Sequence, residues 1–127
     1  MLLKKIVVTM RNKEEERLQV SCVNWFDYQY PQFRQLLFAV PNGGSRNKIE
    51  AANLKKQGVR AGVSDMILLK NGLYFDYLCI EFKTKTGKQS PDQIHFQKLI
   101  DGERNGMYYL VRTFEEFKDI IERHLTF

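Results

Sequence analysis

A carboxylate and an ammonium group lie two positions apart in the strand-like run "CIEFKTK". Side chains alternate across a β-strand, so Glu81 and Lys83 share one face, while Ile80 and Phe82 take the opposite, apolar face. A second carboxylate, Asp65, opens the preceding strand-like run, "DMILLK". Two carboxylates on one face attract Mg²⁺, and a neighbouring lysine can orient a water molecule and stabilise negative charge on a phosphate. Asp65, Glu81 and Lys83 therefore predict a metal-dependent phosphodiesterase centre.

Whether the two carboxylates meet depends on how the two strands pair. A tight two-residue hairpin at "NG" puts Asp65 on the face away from Glu81, whereas a five-residue loop, 71–75, sets the two residues opposite each other. A shared site therefore requires the wider loop or a bulge. The alternative to a catalytic site is a surface salt bridge between Glu81 and Lys83, which would stabilise the fold very little.

The elements that must position these residues follow from hydrophobic periodicity and turn residues. Residues 13–30 are predicted to form a helix whose start carries the acidic run 14–16, since negative charge favours a helix N-terminus. The later elements are a strand "QLLFAV", a polar helix 46–57, strands "DMILLK" and "YLCIEFKTK", a helix from Ser90, a strand "MYYLVR" and a helix 114–125. The order α-β-α-β-β-α-β-α predicts an α/β fold with a mixed central sheet flanked by helices.

The helix after the charged strand begins with a recognisable cap. Ser90 is followed by Pro91 at the first helical position and Gln93 at the third, which is a capping-box pattern. Gln93 therefore has one structural role from the sequence alone.

Several classes of protein are excluded by composition. No apolar run among the 127 residues approaches the roughly 20 residues that span a membrane, and the N-terminus shows no signal-peptide pattern. Cys22 and Cys79 are isolated, and His95 and His124 have no partner at metal-ligand spacing, so zinc and redox motifs are not indicated. We expect buried free thiols in an intracellular protein, of phage or bacterial origin and located in the cytoplasm.

The positive charge is concentrated in one part of the chain. Residues 41–90 hold nine basic and four acidic side chains, which accounts for the whole net charge of +5. A localised basic segment indicates a polyanionic partner, nucleic acid first; the alternative is a solvated lysine-rich surface.

These pieces, in their order and spacing, resemble the VRR-NUC (virus-type replication-repair nuclease) family of the PD-(D/E)xK nuclease superfamily. The resemblance runs from about residue 14 to residue 125 through "EERLQVSCVNW", "FAVPNGGSRN", "GVRAGVSD", "IEFKTKTGKQSPDQ" and "YYLVRTFEE". It implies a restriction-endonuclease-like core, and we expect residues 1–127 to form a single stand-alone nuclease domain.

The family site combines an N-terminal helix glutamate, an aspartate and the E-x-K pair. Glu15 matches the helix glutamate best, with Glu14 and Glu16 as register alternatives and a solvated helix start as the structural alternative. Gln19, one helical turn later, points the same way. Asp65 matches the family aspartate, although Ser64 replaces the proline that usually precedes it.

The resemblance also assigns supporting roles. Gln93 matches the family pattern, so active-site hydrogen bonding competes with capping as its role. "PNGGSRN" resembles the family's glycine loop, in which glycines permit close approach to a phosphate and basic residues supply charge; an ordinary strand-ending loop is the alternative. The expected DNA-binding residues are Gly43, Gly44, Arg46, Lys48, Lys85 and Lys88.

The resulting hypothesis is a Mg²⁺-dependent DNA endonuclease, with Mn²⁺ able to substitute. Asp65, Glu81 and the backbone carbonyl of Phe82 are the expected metal ligands, Glu15 would bind a second metal or a bound water, and Lys83 would position the nucleophile. The partner is DNA, with a four-way junction and a homodimer implied by stand-alone members of the family. The alternatives are a monomeric nickase, an inactive nucleic-acid-binding module with the same fold, and a protein-interaction domain.

Overall fold

The computed structural model describes residues 2–41 and 47–126. Its elements follow the predicted order, with a 3-10 helix added before the first strand. They are α1 (Leu2–Gln29), the 3-10 helix (Pro31–Leu36), β1 (Leu37–Ala39), α2 (Lys48–Lys56), β2 (Met66–Leu68), β3 (Tyr77–Phe82), α3 (Pro91–Asp101), β4 (Gly106–Val111) and α4 (Phe114–Leu125). The predicted α/β fold, a mixed sheet flanked by helices, is confirmed.

The four strands lie in the order β1-β2-β3-β4. The first three are antiparallel neighbours, and β3 and β4 are parallel. Met66 pairs with Ile80, so the same register carries Asp65 opposite Glu81. This is the register of the wider loop, and the tight hairpin is wrong. The loop between β2 and β3 is hydrogen-bonded to α4: the Leu73 N–H donates to the His124 carbonyl near the end of that helix (2.9 Å).

One face of the sheet carries the hydrophobic core. Ile80 and Phe82 of β3 are fully buried on this face together with Phe26 of α1 and Phe117 of α4. The rings of Phe82 and Phe117 lie 6.0 Å apart. Helices α1 and α4 both cover this face. Because side chains alternate along a strand, Glu81, which lies between Ile80 and Phe82, points to the opposite face of the sheet.

The opposite face is covered by α3. The predicted capping box is present: the Ser90 hydroxyl accepts from the Gln93 N–H (3.2 Å), and the Gln93 side-chain oxygen accepts from the Ser90 N–H (2.8 Å). Phe96 packs edge-on against Tyr108 of β4, with ring centres 6.1 Å apart. The cap and this contact hold the first turn of α3 over the face that bears Glu81.

The first helix differs from the prediction in length. It begins at Leu2 rather than at residue 13, so the acidic run 14–16 lies in the middle of a helix and does not mark its N-terminus. No proline or glycine interrupts residues 2–12, and such a sequence lets a helix propagate without a break. All side chains of residues 2–10 are exposed; we refer to this segment as the N-terminal extension.

The two cysteines are buried free thiols, as expected, and the two histidines differ in their surroundings. Cys22 and Cys79 are free and buried. His124 is buried, with Nε2 2.6 Å from the Lys70 carbonyl oxygen, and His95 is exposed. Among the helices of the described ranges, none combines the length and apolar character needed to cross a membrane.

Candidate active site

Asp65 directly precedes β2 and Glu81 lies near the end of β3, and backbone N–H groups of these two segments bind the two carboxylates. The Asp65 N–H donates to Glu81 Oε1 (3.2 Å), and the Phe82 N–H donates to Asp65 Oδ2 (2.7 Å). Each carboxylate therefore accepts a hydrogen bond from the neighbouring strand, which fixes its rotamer. This reciprocal arrangement exists only in the register that sets residue 65 opposite residue 81.

Glu81 is also held from α3 and from its own strand. Gln93 Nε2 donates to Glu81 Oε2 (3.1 Å), and Lys83 Nζ lies 3.5 Å from the same oxygen. The two roles considered for Gln93 are compatible because its amide oxygen caps α3 while its amide nitrogen holds Glu81. The helix cap thus determines the position of a site residue.

The Glu81–Lys83 pair is not a surface salt bridge. Glu81 is 2% exposed and Lys83 is 9% exposed, so the surface alternative is wrong. Burial, with the Asp65 carboxylate beside it, raises the pKa of Glu81 to about 8. Burial also raises the pKa of Asp65, although the hydrogen bond from the Phe82 N–H opposes this shift. The two acids resist being ionised together unless a cation is present.

The long helix α1 adds a third carboxylate near the same end of the sheet. Glu15 is partly buried, whereas Glu14 and Glu16 are exposed. Burial raises the pKa of Glu15, and the Lys83 ammonium and a hydrogen bond from the Thr84 backbone oppose the rise. Of the three register alternatives, Glu15 is therefore the partly buried one whose pKa responds to Lys83 and Asp65, while Glu14 lines a neighbouring cleft with Lys83 from an exposed position.

A cleft of about 530 Å³ opens between α1 and the end of β2. Its lining includes Glu15 and Gln19, which lie one turn apart on α1, and Asp65, which directly precedes β2. The expectation that Gln19 points the same way as Glu15 is met. Ser64, which stands where the family has proline, is fully buried, and its hydroxyl donates to the Met66 carbonyl (3.1 Å). This bond restrains the backbone just before and after Asp65.

A loop glycine brings α3 close to this site. Gly62 has φ +82°, and a Cβ at this position would lie 2.3 Å from the backbone oxygen of Asp92 in the first turn of α3. Only glycine combines this φ with so close an approach. The loop that leads into Asp65 therefore packs directly on the helix that carries Gln93.

The donor set fits Mg²⁺ better than a metal that needs many protein ligands. Within residues 2–41 and 47–126, no three His, Cys, Asp or Glu side chains gather closely enough to hold an ion by themselves. Mg²⁺ takes one or two protein carboxylates and completes its shell with water and phosphate oxygens. The Phe82 N–H faces Asp65, and the carbonyl of the same residue points the same way in a strand. Asp65, Glu81 and this carbonyl are therefore suitable ligands, and metal binding by them and by Glu15 stays a prediction.

The expected DNA-binding residues divide into two groups. Lys85 and Lys88 are exposed on the segment that follows Lys83, and Lys48 is exposed at the start of α2, which buries none of its side chains. Gly43, Gly44 and Arg46 lie outside the described residues, so their roles stay predictions. Lys85 lines a cleft together with Lys83, and Lys88 follows it three residues later in the sequence.

One residue at the site was given no role from the sequence. Arg112 follows β4, and the pairing of Phe82 with Val111 in the parallel register places it next to Lys83. The sequence shows an arginine at the carboxyl end of a predicted strand. Its position beside Lys83 follows only if β4 lies parallel to β3, and the sequence of one strand does not reveal its neighbour.

Comparison with known proteins supplies the identity of the fold. A family model described as the VRR-NUC domain matches residues 3–112. A solved structure of a "VRR_NUC domain protein" is similar, with a TM-score of 0.72 and 21% sequence identity over 87% of this chain and 86% of that chain. No curated protein matches the chain. With the family match spanning most of its length, the chain belongs to the VRR-NUC nuclease family.

Proposed function

We propose that this protein is a Mg²⁺-dependent endonuclease that hydrolyses phosphodiester bonds in branched DNA such as four-way junctions. The observation that carries the proposal is the group of Asp65, Glu81 and Lys83 at the ends of β2 and β3, in which Glu81 and Lys83 are buried and Asp65 is partly exposed. The pair of carboxylates is oriented by backbone hydrogen bonds, and the ammonium lies 3.5 Å from Glu81.

The chain's own residues divide the work of hydrolysis. Asp65 and Glu81 would hold the metal, which would supply positive charge against the charge that develops on the phosphate. Lys83 Nζ, next to Glu81, is placed to orient the attacking water and to stabilise negative charge on the phosphate. Gln93 holds Glu81 in place, and Glu15 supplies a further acceptor for water or metal on the α1 side.

Burial favours a catalytic role over a structural one. Removing two charges from water costs several kcal/mol per ion, and an apolar pair often stabilises a core better. The Glu81–Lys83 pair is nevertheless buried at the edge of a cleft, beside a second carboxylate with a raised pKa. Perturbed acids that cluster in a cleft are typical of active sites.

The substrate class is tested with purified protein on a panel of labelled DNAs. Linear, nicked, flapped and four-way DNA are incubated with Mg²⁺ or with chelator, and products are resolved on denaturing gels. The proposal expects Mg²⁺-dependent cuts, with the four-way junction cleaved fastest. Binding without cleavage of any DNA would favour the inactive binding module.

The basic segment leads to a prediction about affinity. Replacing Arg46 and Lys48 by alanine should weaken DNA binding and flatten its salt dependence, because each lost phosphate contact removes about one unit of slope. Cleavage at saturating DNA should be unchanged. Binding is measured by fluorescence anisotropy across a salt series in the presence of Ca²⁺.

The matched control for this pair is the double alanine variant of Lys118 and Arg123. Both lie exposed on α4, outside the basic segment, so their loss should leave the slope unaltered. Equal slopes for both double variants would place Arg46 and Lys48 away from the DNA.

A symmetric substrate favours a symmetric enzyme, and the N-terminal extension is our candidate interface. It exposes six large apolar side chains: Leu2, Leu3, Ile6, Val7, Val8 and Met10. The aromatic run "WFDYQYPQF", residues 25–33, is a weaker candidate because Trp25, Tyr30 and Phe33 pack against the chain's own core. A two-fold dimer presents two sites and can cut both strands of a junction.

Light scattering tests the dimer. The chain should elute at twice its 15.0 kDa mass, and replacing Leu3, Val7 and Met10 by glutamine should yield monomers because these positions form one helical stripe. Leu99→Gln, an exposed leucine on α3, is the control and should remain dimeric. A monomeric wild-type protein at micromolar concentration would contradict the dimer.

The dimer also determines how a cruciform is cut. A supercoiled plasmid that extrudes a cruciform should be linearised by paired cuts in one binding event, and the monomeric triple variant should release nicked circles. If the wild-type protein yields only nicked circles without preference for the cruciform, the protein is a nickase.

A further inference from the structure

The side chain of Arg112 binds backbone rather than an acid. Its Nη1 donates to the carbonyl oxygens of Thr84, Lys85 (3.3 Å) and Gly87 (2.9 Å). Within the described ranges, no carboxylate lies at ion-pair distance from its guanidinium. The guanidinium therefore holds the segment 84–87, which follows Lys83 directly.

The other side of this segment faces Glu15. The Thr84 backbone N–H lies close enough to the Glu15 carboxylate to lower its pKa. Gly87 is buried, and a Cβ added to it would lie 3.4 Å from Glu15 Oε1 and 3.0 Å from Thr84 Oγ1. The segment 84–87 thus lies between a carboxylate on its N–H side and a guanidinium that donates to its carbonyls.

The segment has little else to fix it. It is a single turn closed by the Gly87 N–H, which donates to the Thr84 carbonyl (3.2 Å) and hydroxyl (3.0 Å), and Lys85 and Thr86 are exposed at its tip. Exposed turns with few buried contacts open easily. The three carbonyl oxygens share the two hydrogens of Nη1, and the planar guanidinium fixes the direction of these hydrogens, whereas a lysine ammonium acts as a point charge.

We propose that Arg112 is a positioning residue of the nuclease centre. By holding the segment 84–87, it keeps the Thr84 amide against Glu15 and fixes the backbone that carries Lys83. The proposal rests on the nuclease function proposed above. It assigns Arg112 an effect on the rate of the chemical step rather than on DNA affinity.

The competing role is a direct phosphate contact. Arg112 lines a cleft of about 300 Å³ together with Lys83, Lys85 and Thr86, so its free guanidinium nitrogens are available to an anion. A phosphate contact and a positioning residue make opposite predictions: loss of the first weakens binding and reduces the salt slope, while loss of the second lowers kcat at unchanged affinity.

The kinetic test compares Arg112→Ala with Arg112→Lys and with the control Arg123→Ala, whose arginine also donates to a backbone carbonyl but lies far along α4. Arg112→Ala should lower kcat roughly 10- to 100-fold, in line with the cost of a small misplacement, with KM and DNA affinity within about twofold. The kcat of Arg112→Lys should be similarly low. Free guanidinium, at concentrations far below those that unfold proteins, should raise the kcat of Arg112→Ala several-fold, and methylammonium should not.

The second readout does not depend on activity. In the metal-free protein, amide exchange at Thr84 and Gly87 should accelerate roughly tenfold or more in Arg112→Ala, while exchange at Ile80 in the middle of β3 stays slow. If wild-type protein cleaves no DNA, the proposed function fails, and exchange alone still decides the positioning role. Retained kcat with weakened binding, or unchanged exchange at Thr84, would overturn the inference. If the alanine variant does not fold, Arg112→Lys carries both readouts.

Discussion

Lys83→Ala is expected to abolish DNA cleavage while the protein stays folded and still binds DNA. The ammonium lies 3.5 Å from Glu81 Oε2 and is almost fully buried, so its position beside the carboxylate is fixed. Losing a preorganised positive charge at a developing negative charge costs several kcal/mol, or on the order of 10²-fold or more in rate. Single-turnover cleavage of a labelled junction at saturating Mg²⁺ measures this loss.

Two comparisons make the Lys83 result specific. Lys118→Ala, at an exposed lysine of α4 paired with Glu122, should cleave like the wild-type protein. Lys83→Met keeps the aliphatic stem and should be as inactive as alanine, since the charge and not the packing is lost. Near-wild-type turnover by a folded Lys83→Ala protein would remove Lys83 from the mechanism.

Asp65→Asn and Glu81→Gln are expected to weaken Mg²⁺ and Mn²⁺ binding strongly, with cleavage lost in parallel. Each change removes one carboxylate from a site that offers two, while the amide can still accept the backbone hydrogen bond that orients the side chain. Calorimetric titration of the metal-free proteins measures the affinity, and Asp119→Asn, an exposed acid on α4, is the control. Unchanged affinity in both variants would rule out this metal site.

The same variants should gain stability when metal is absent. Folding raises the pKa of Glu81 from 4.5 to about 8, so the folded state holds a proton that the unfolded state releases. The stabilisation from this proton is complete below about pH 4.5 and is lost as the pH rises towards 8. Metal-free wild-type protein should therefore lose on the order of 1–3 kcal/mol of unfolding free energy across this window.

Glu81→Gln should remove most of that pH dependence, because glutamine does not titrate. Urea unfolding at pH 5 and pH 8 compares the two proteins, and saturating Mg²⁺ should restore the wild-type stability at pH 8, since a ligand bound only by the folded state stabilises it. A wild-type protein that is more stable at pH 8 than at pH 5 without metal would contradict the raised pKa of Glu81.

Much of the fold was predictable because its elements are local. The helix cap at Ser90 and the apolar stripe of α4 are patterns within a few residues, and both are present. The sequence left two registers possible for β2 and β3, one with a five-residue loop, 71–75, and one with a tight hairpin at Asn71 and Gly72, which form a strong turn signal. The bond from Leu73 to the end of α4 selects the wider loop, and this contact is not visible from either segment alone.

Strand alternation and the family resemblance were enough to name the candidate site residues, but not their contacts. Glu81 and Lys83 share a face because they are two apart, but the contact of Glu81 with Gln93 of α3 and the position of Lys83 beside α1 and Arg112 depend on the tertiary fold. The double role of Gln93 requires the two ends of one amide to point in different directions, which a sequence pattern cannot specify. The early start of α1 at Leu2 was missed because the acidic run 14–16 favours a helix N-terminus at that point, although Leu3, Val7 and Met10 before it already recur at helical spacing.

The most direct measurement of the central claim is single-turnover cleavage of a labelled four-way junction across a Mg²⁺ titration, with wild-type protein and Glu81→Gln run side by side. The account predicts no cleavage by wild-type protein in chelator, a rate that rises with Mg²⁺ and saturates where calorimetry shows the site filling, and no saturable cleavage by Glu81→Gln in the same range. Cleavage that persists in chelator, or a Glu81→Gln protein with the wild-type rate and Mg²⁺ midpoint, would contradict it.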